Sequence, residues 1–141
     1  MHDGPQASFT TVFAIDPGSG GVRWTRDFGS PNGDICLASP AIALDGSIVF
    51  ANLRGTVASF HLDGQLAWIF ETRDPGPSSP AVDADGTVYV GASQALYAIR
   101  AGGALAWSLP LHGGASSSPA IAASGDVYIA SSDGMLHDMG P

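Results

Sequence analysis

Few side chains in this chain could do chemistry, and their spacing decides what that chemistry is. Asp83-Ala84-Asp85-Gly86 opens like a calcium loop, in which alternate carboxylates wrap a hard cation. The later acidic ligands and closing glutamate of such a loop do not follow. Asp45-Gly46 occupies the equivalent place with no partner acid, so turn chemistry is the plainer reading. His2, His61, His112 and His137 show no His-x-x-x-His spacing, and Cys36 is single, so three or four zinc ligands do not come together. Ser78-Ser79-Pro80 and Ser117-Ser118-Pro119 lack the Gly-x-Ser-x-Gly setting of a strained nucleophile. These serines are expected to begin a strand and satisfy backbone groups there. No catalytic, cofactor-binding or metal-binding residue is assigned.

Trp24, Trp68 and Trp107 could line a ligand site, yet each stands four residues after a glycine, Gly20, Gly64 and Gly103. A large aromatic that recurs in register fills the same packing space in each unit. Ser-Pro-Ala recurs too, with Pro40, Pro80 and Pro119 spaced by 40 and 39 residues. After each tripeptide come a short apolar run, a turn at Asp45-Gly46, Asp85-Gly86 or Ser124-Gly125, and a second run rich in β-branched or aromatic residues. That pattern predicts hairpins with two-residue turns. Third runs such as Thr56-Val57-Ala58-Ser59-Phe60 and Ala95-Leu96-Tyr97-Ala98-Ile99 follow, and a fourth run carries the tryptophan. Glycine suits the left-handed turn before that fourth run, and proline is tolerated at a strand's first position.

Four short strands in about 40 residues are the signature of a propeller blade. The runs Ile48-Val49-Phe50 and Val88-Tyr89-Val90 are apolar on both faces, as expected of sheets packed between neighbours. The predicted fold is all-β, a partial β-propeller of about three to four antiparallel blades, incomplete at both ends. Residues 1–8 read as an N-terminal tail and 9–29 as the last two strands of a partial blade. Residues 37–72 and 78–111 each read as a blade, and 117–139 as an incomplete one. The strand count is two, four, four and three.

Composition sets limits on partners. The chain has 19 glycines, 10 prolines and a net charge of −8, with arginines but no lysine. Such a balance argues against nucleic-acid backbones and anionic lipid, both of which need basic surfaces. No apolar run has the length of a membrane span. Met1-His2-Asp3-Gly4-Pro5 shows neither the charged nor the apolar region of a signal peptide.

Ala14-Ile15-Asp16-Pro17-Gly18-Ser19-Gly20-Gly21-Val22-Arg23-Trp24 matches Ala-x-Asp-x-x-x-Gly-x-x-x-Trp. This resembles the tryptophan-docking motif of the PQQ-like (quinoprotein) β-propellers, and the segment from Ser79 to Gly91 resembles that family's other hallmark. The family includes quinone-dependent dehydrogenases, periplasmic scaffold lipoproteins that assist outer-membrane protein assembly, and sensor modules. The resemblance implies that Trp24, Trp68 and Trp107 pack between blades. It also implies a periplasmic or extracellular setting. PQQ and calcium are expected only if the chain is part of a larger quinoprotein, because Glu71 is the sole glutamate and no Cys-Cys pair is present.

In the last unit Asp138 falls where Ala14, Ser59 and Ala98 stand, a small position expected to be buried. Loops joining one blade to the next should share a face with the turns between second and third strands. That face would gather Arg54, Arg73, Asp74 and His112, a candidate interaction face on a rigid scaffold. Open blade ends predict a piece of a longer propeller, a protein partner, or self-association. The leading function is a non-catalytic scaffold or protein-interaction module of the cell-envelope type. The alternatives are a fragment of a PQQ-dependent dehydrogenase and a sensor or ligand-binding module.

Overall fold

The structure, a computed structural model, describes residues 9–29, 35–36, 38–115 and 117–140, so the expected tail 1–8 lies outside the described residues. Four antiparallel sheets and no helix form among them. The first sheet is a ribbon of β1 (Thr10–Ile15) and β2 (Val22–Phe28). The second runs β3 (Ala41–Ile42), β4 (Ile48–Ala51), β5 (Thr56–Phe60) and β6 (Leu66–Glu71) in chain order. The third repeats this as β7 (Ala81–Val82), β8 (Val88–Gly91), β9 (Ala95–Ile99) and β10 (Leu105–Pro110). The fourth has β11 (Ala120–Ile121), β12 (Val127–Ala130) and β13 (Leu136–Met139). The chain is therefore an all-β partial propeller with the expected strand count.

The turns differ from the two-residue type. Gly46 N–H donates to Ala43 O at 2.9 Å, and Ala43 N–H donates to Ser47 O at 2.9 Å, which encloses three residues. Gly46 is left-handed at φ 85°, whereas Asp45 is not. This is a tight turn followed by a bulge glycine, and only the glycine needs positive φ. Asp83/Gly86/Thr87 and Ala122/Gly125/Asp126 close in the same way. The aspartate's role is to accept hydrogen bonds: Asp45 Oδ1 takes Ser47 N–H at 2.9 Å, and Asp63 Oδ1 takes Gln65 N–H at 2.9 Å. Such local side-chain bonds favour turns over continued strand.

Three apolar clusters join the four sheets. Val12 and Phe28 pack with Ala58 and Phe60 between the first and second sheets. Val49, Ala51 and Val57 pack with Val88, Val90 and Ile99 between the second and third. Tyr89, Leu96 and Ala98 pack with Val127 and Ile129 between the third and fourth. Full burial of one such Val, Leu, Ile or Phe side chain contributes about 1.5–3 kcal/mol. Because both faces of an inner sheet are covered, β8 is buried throughout.

The tryptophans act across units. A Cβ on Gly64 would lie 2.7 Å from Trp24 Cδ2, and one on Gly103 would lie 2.8 Å from Trp68 Cγ. Each indole thus lies on the turn glycine of the next sheet, and Trp24 Nε1 donates to Leu62 O at 2.9 Å to fix it there. Both glycines are also left-handed, at φ 82° and 88°. Trp107 stands 5.9 Å from the Tyr89 ring and is 38% exposed, with no following glycine turn among the described residues.

The Ser-Pro-Ala serines stitch the inner strands together. Ser39 N–H donates to Ser79 Oγ at 2.8 Å, and Ser79 N–H to Ser118 Oγ at 3.2 Å. Ser78 Oγ and Ser117 Oγ accept Gly91 N–H and Ala130 N–H, both at 3.0 Å. Pro40, Pro80 and Pro119 stand immediately before β3, β7 and β11. Asp138 departs from expectation. Its register with Tyr128 matches that of Ser59 with Val49, but Asp138 is exposed where Ser59 is buried. The physical reason is that no further sheet covers β13 among the described residues.

Candidate interaction face

One end of the strands carries both the crossovers between sheets and the turns between second and third strands. Backbone bonds tie them in sequence around the array. Leu53 N–H donates to Ile35 O, Thr72 N–H to Gly55 O, and Gly76 N–H to Leu53 O. Ser93 N–H then donates to Pro75 O, Leu111 N–H to Gln94 O, and Ser132 N–H to Gly114 O. The opposite end carries the other turns, where Gly46 packs on Leu62 and Gly86 on Ala101.

The crossover at residues 72–76 is held most tightly. Thr72 Oγ1 accepts Asp74 N–H at 3.1 Å and lies 3.0 Å from Gly55 O and 2.9 Å from Asp74 O, either of which can take its proton. A Cβ on Gly55 would sit 2.7 Å from Asp74 O, so glycine is required there. Asp74 is 3% exposed, and its Oδ2 accepts Gln94 N–H at 2.9 Å and the Tyr97 hydroxyl at 3.3 Å. Its Oδ1 is buried without a hydrogen-bond partner among the described residues. Burial, and then the Asp74 carboxylate, push the Tyr97 phenol above its ordinary pKa. Ser93 Oγ completes the clamp by donating to Pro75 O at 2.5 Å.

Within this clamp Arg73 adopts φ 57°, alone among the described non-glycine residues in having positive φ. A left-handed backbone costs a residue with a Cβ about 1–2 kcal/mol. Such strain persists only where the surroundings over-determine it. Here the bonds on either side supply that constraint, and the Arg73 side chain is exposed.

Three of the four face residues expected from the sequence reach the surface. Arg54, Arg73 and His112 are exposed, on the turn at 52–55 and the crossovers at 72–76 and 111–115. Asp74 points inward and belongs to the framework that holds them. A shallow hollow of about 220 Å³, lined by Gly76, Ser78, Ala115, Ser117 and Ser118, opens beside these crossovers.

Two further side-chain clusters lie outside this clamp. At the turn before β13, Ser131 Oγ donates to Asp133 Oδ1 and lies 3.0 Å from His137 Nε2. A hydroxyl has one proton, so with that proton on Asp133 it is the Nε2–H tautomer of His137 that donates the second bond. Ser131 is buried beneath these partners at 3% exposed. On the opposite end, Asp83 Oδ1 accepts Asp85 and Thr87 N–H, both at 3.0 Å, and Asp83 Oδ2 accepts the Tyr89 hydroxyl at 3.0 Å. Sharing a hydrogen bond with Asp83 holds Asp85 down at about 2, while burial raises Asp83. Both Asp83 oxygens and Asp85 Oδ1 are occupied by turn and strand, which is structural chemistry. No group of three or more potential metal ligands occurs among the described residues. Nor is any described helix long and apolar enough to cross a membrane.

Known proteins share this arrangement. A family model described as outer membrane protein assembly factor BamB matches residues 53–139. The Streptomyces griseus serine/threonine-protein kinase AfsK is 34% identical over 97 residues, which are 64% of this chain and 12% of the kinase. The crystal structure of BamB from Moraxella catarrhalis superposes with a TM-score of 0.75 at 24% identity, over 92% of this chain and 40% of that one. The WD40 β-propeller domain of Doa1 superposes at 0.69 with 15% identity, over 84% of this chain and 40% of that one. At these identities the superpositions show the fold. The chain spans well under two thirds of each of these relatives.

Proposed function

The chain belongs to the PQQ-like β-propeller repeat family of the assembly factor BamB, and from that membership we propose that it is a non-catalytic protein-interaction module of the cell-envelope type. Its working surface is the crossover face. The carrying observation is the clamp at residues 72–76, which spends hydrogen bonds from two sheets to hold Arg73 in a strained, outward position. A solvent-exposed cation on a backbone fixed in this way suits docking of a protein partner, since little loop ordering remains to be done on binding. A periplasmic or extracellular setting goes with this reading.

The test is site-specific photo-crosslinking in envelope extracts. A crosslinker at position 54, 73 or 112 is expected to capture one discrete partner, and crosslinkers at 44 or 101 on the opposite end none. Arg73→Glu should abolish capture from position 112. Equal capture from both ends would refute the assignment. Saturable PQQ binding with calcium-dependent dye reduction would replace it with the reading of a dehydrogenase fragment.

The likeness to a kinase favours a second reading. In it the chain is a sensor or ligand-binding propeller, and the same face receives a small ligand. Thermal-shift screening against small molecules separates the two, because a sensor is stabilised by a small ligand in the absence of any protein.

A further inference from the structure

The two open ends of the array are the two halves of an interface that the chain already makes internally. In β1, β5 and β9, register places Val12, Val57 and Leu96 at one equivalent position, facing the next sheet. Phe60, Ile99 and Met139 share the reciprocal position, facing the previous sheet. The two positions meet at every junction: Val12 with Phe60, Val57 with Ile99, and Leu96 with Met139 lie in common clusters. Leu136 of β13 repeats the first position and Ile15 of β1 the second. Val57, Leu96 and Ile99 are 0% exposed and Phe60 2%, whereas Leu136 is 68% exposed and Ile15 50%. Phe13, which repeats the position of Ala58, is 58% exposed beside Ile15. Each end thus lacks what the other presents.

We propose that this chain associates head to tail with a second copy of itself, the outer face of β11–β13 in one copy packing on the β1–β2 ribbon of the next. Leu136 of the first copy meets Ile15 of the second, continuing the junction made three times within each chain. The contact is heterologous, so it closes into a ring or extends according to the angle between copies. Asp138 sets its strength. Its counterparts Ser59 and Ala98 are buried and uncharged, so association strips water from a carboxylate at a place built for a small neutral group. The inference does not depend on what the crossover face binds, because the blade faces and that face are separate surfaces.

Light scattering on a sizing column, run over a range of concentrations, tests it with the 141-residue chain. The wild-type chain is expected as dimer or larger at tens of micromolar. Leu136→Asp and Ile15→Asp should each be monomeric. An equimolar mixture of the two should give a one-to-one heterodimer and nothing larger, because one intact interface survives. Asp138→Ala should tighten association about tenfold or more. Far-UV circular dichroism checks that each variant keeps its sheets. If Leu136→Asp unfolds the last hairpin, Leu136→Ser makes the same break more gently. A wild-type monomer at all concentrations overturns the proposal. So do an oligomer indifferent to both aspartate variants, a mixture that stays monomeric, and weaker association of Asp138→Ala.

Discussion

Replacing Gly64 with alanine separates the two demands placed on that residue. The first is backbone: Gly64 is left-handed at φ 82°, which costs an alanine about 1–2 kcal/mol. The second is contact: the new Cβ would lie 2.7 Å from Trp24 Cδ2 and 3.0 Å from Cγ, inside the indole. Trp24 cannot swing away freely, since its Nε1 is bonded to Leu62 O and its ring packs 6.4 Å from Phe60. Overpacking of this kind costs about 1–3 kcal/mol, so the whole substitution should cost about 2–5 kcal/mol. Gly20→Ala is the control. Gly20 has a similar φ of 70° but nothing within 4 Å of an added Cβ, so only the backbone cost of about 1–2 kcal/mol applies. Urea unfolding followed by circular dichroism gives both values by linear extrapolation. In a Trp24→Ala background the Gly64→Ala cost should fall to that of Gly20→Ala, a coupling that a double-mutant cycle reads directly. Equal costs at Gly64 and Gly20, or strict additivity with Trp24→Ala, would show that the indole does not dock on the glycine.

Three other outcomes are expected. Asp74→Ala should lower the melting temperature by the equivalent of about 1–3 kcal/mol, because Gln94 N–H and the Tyr97 hydroxyl lose their buried acceptor. Asp74→Asn, which keeps an acceptor oxygen and removes the buried charge, should cost less, and a neutral alanine variant would refute the clamp. Burial and the bond to Asp83 push the Tyr89 phenol up to about 12, so the fold favours its neutral form. That stability, about 2–3 kcal/mol, is fully present below pH 10 and is lost as pH rises from 10 to 12. Tyr89→Phe should flatten this alkaline decline in pH-dependent urea unfolding, and an unchanged profile would contradict it. Trp107→Ala should destabilise less than Trp68→Ala, because Trp68 lies against Gly103 and Trp107 has no such cover among the described residues. Melting temperatures of the two variants check this, and the reverse order would count against the docking scheme.

Features that recur are the ones a reader of the sequence can see. Ser-Pro-Ala and Gly-x-x-x-Trp fix the period, and the period fixes the blade, because a unit that repeats must solve the same packing problem each time. The turn type was harder. Asp-Gly satisfies both a two-residue turn and a tight turn with a bulge glycine, and only the bond from Ala43 N–H to Ser47 O distinguishes them. The partner of each tryptophan lies in the next unit, 40 residues from Trp24 to Gly64, so a motif read within one unit hides a contact between two. Asp74 gave no periodic signal at all. Its burial depends on Tyr97, whose equivalents on β5 and β13 are Ala58 and His137. Arg73 gave none either, since φ 57° for an arginine follows from bonds on both sides of it. The cluster of Ser131, Asp133 and His137 was accessible in principle, because a turn at Gly134 folds β13 back along β12 and towards Ser131.

The same contrast supports the proposed crossover face. A position that the array needs must appear in each unit, since every sheet meets the same neighbours. The turns between first and second strands obey this: Asp45 and Asp85 each accept the N–H two residues on, and Ser124 Oγ at the equivalent place accepts Asp126 N–H at 3.5 Å. The crossover face does not. Its second-to-third-strand turns carry Arg54 in one sheet, Ser93 and Gln94 in the next, and Ser132 and Asp133 in the last. Its crossovers carry Arg73 and Asp74 in one place and His112 in another. None of these side chains is required by the repeat, yet at Arg73 the fold bears a strain it could avoid with glycine, the residue that holds the other left-handed positions among the described residues. A cost borne once, on the one face whose residues do not recur, supports the proposal that this face docks a partner. The blade faces, which recur three times inside the chain, are shaped instead for more of the same.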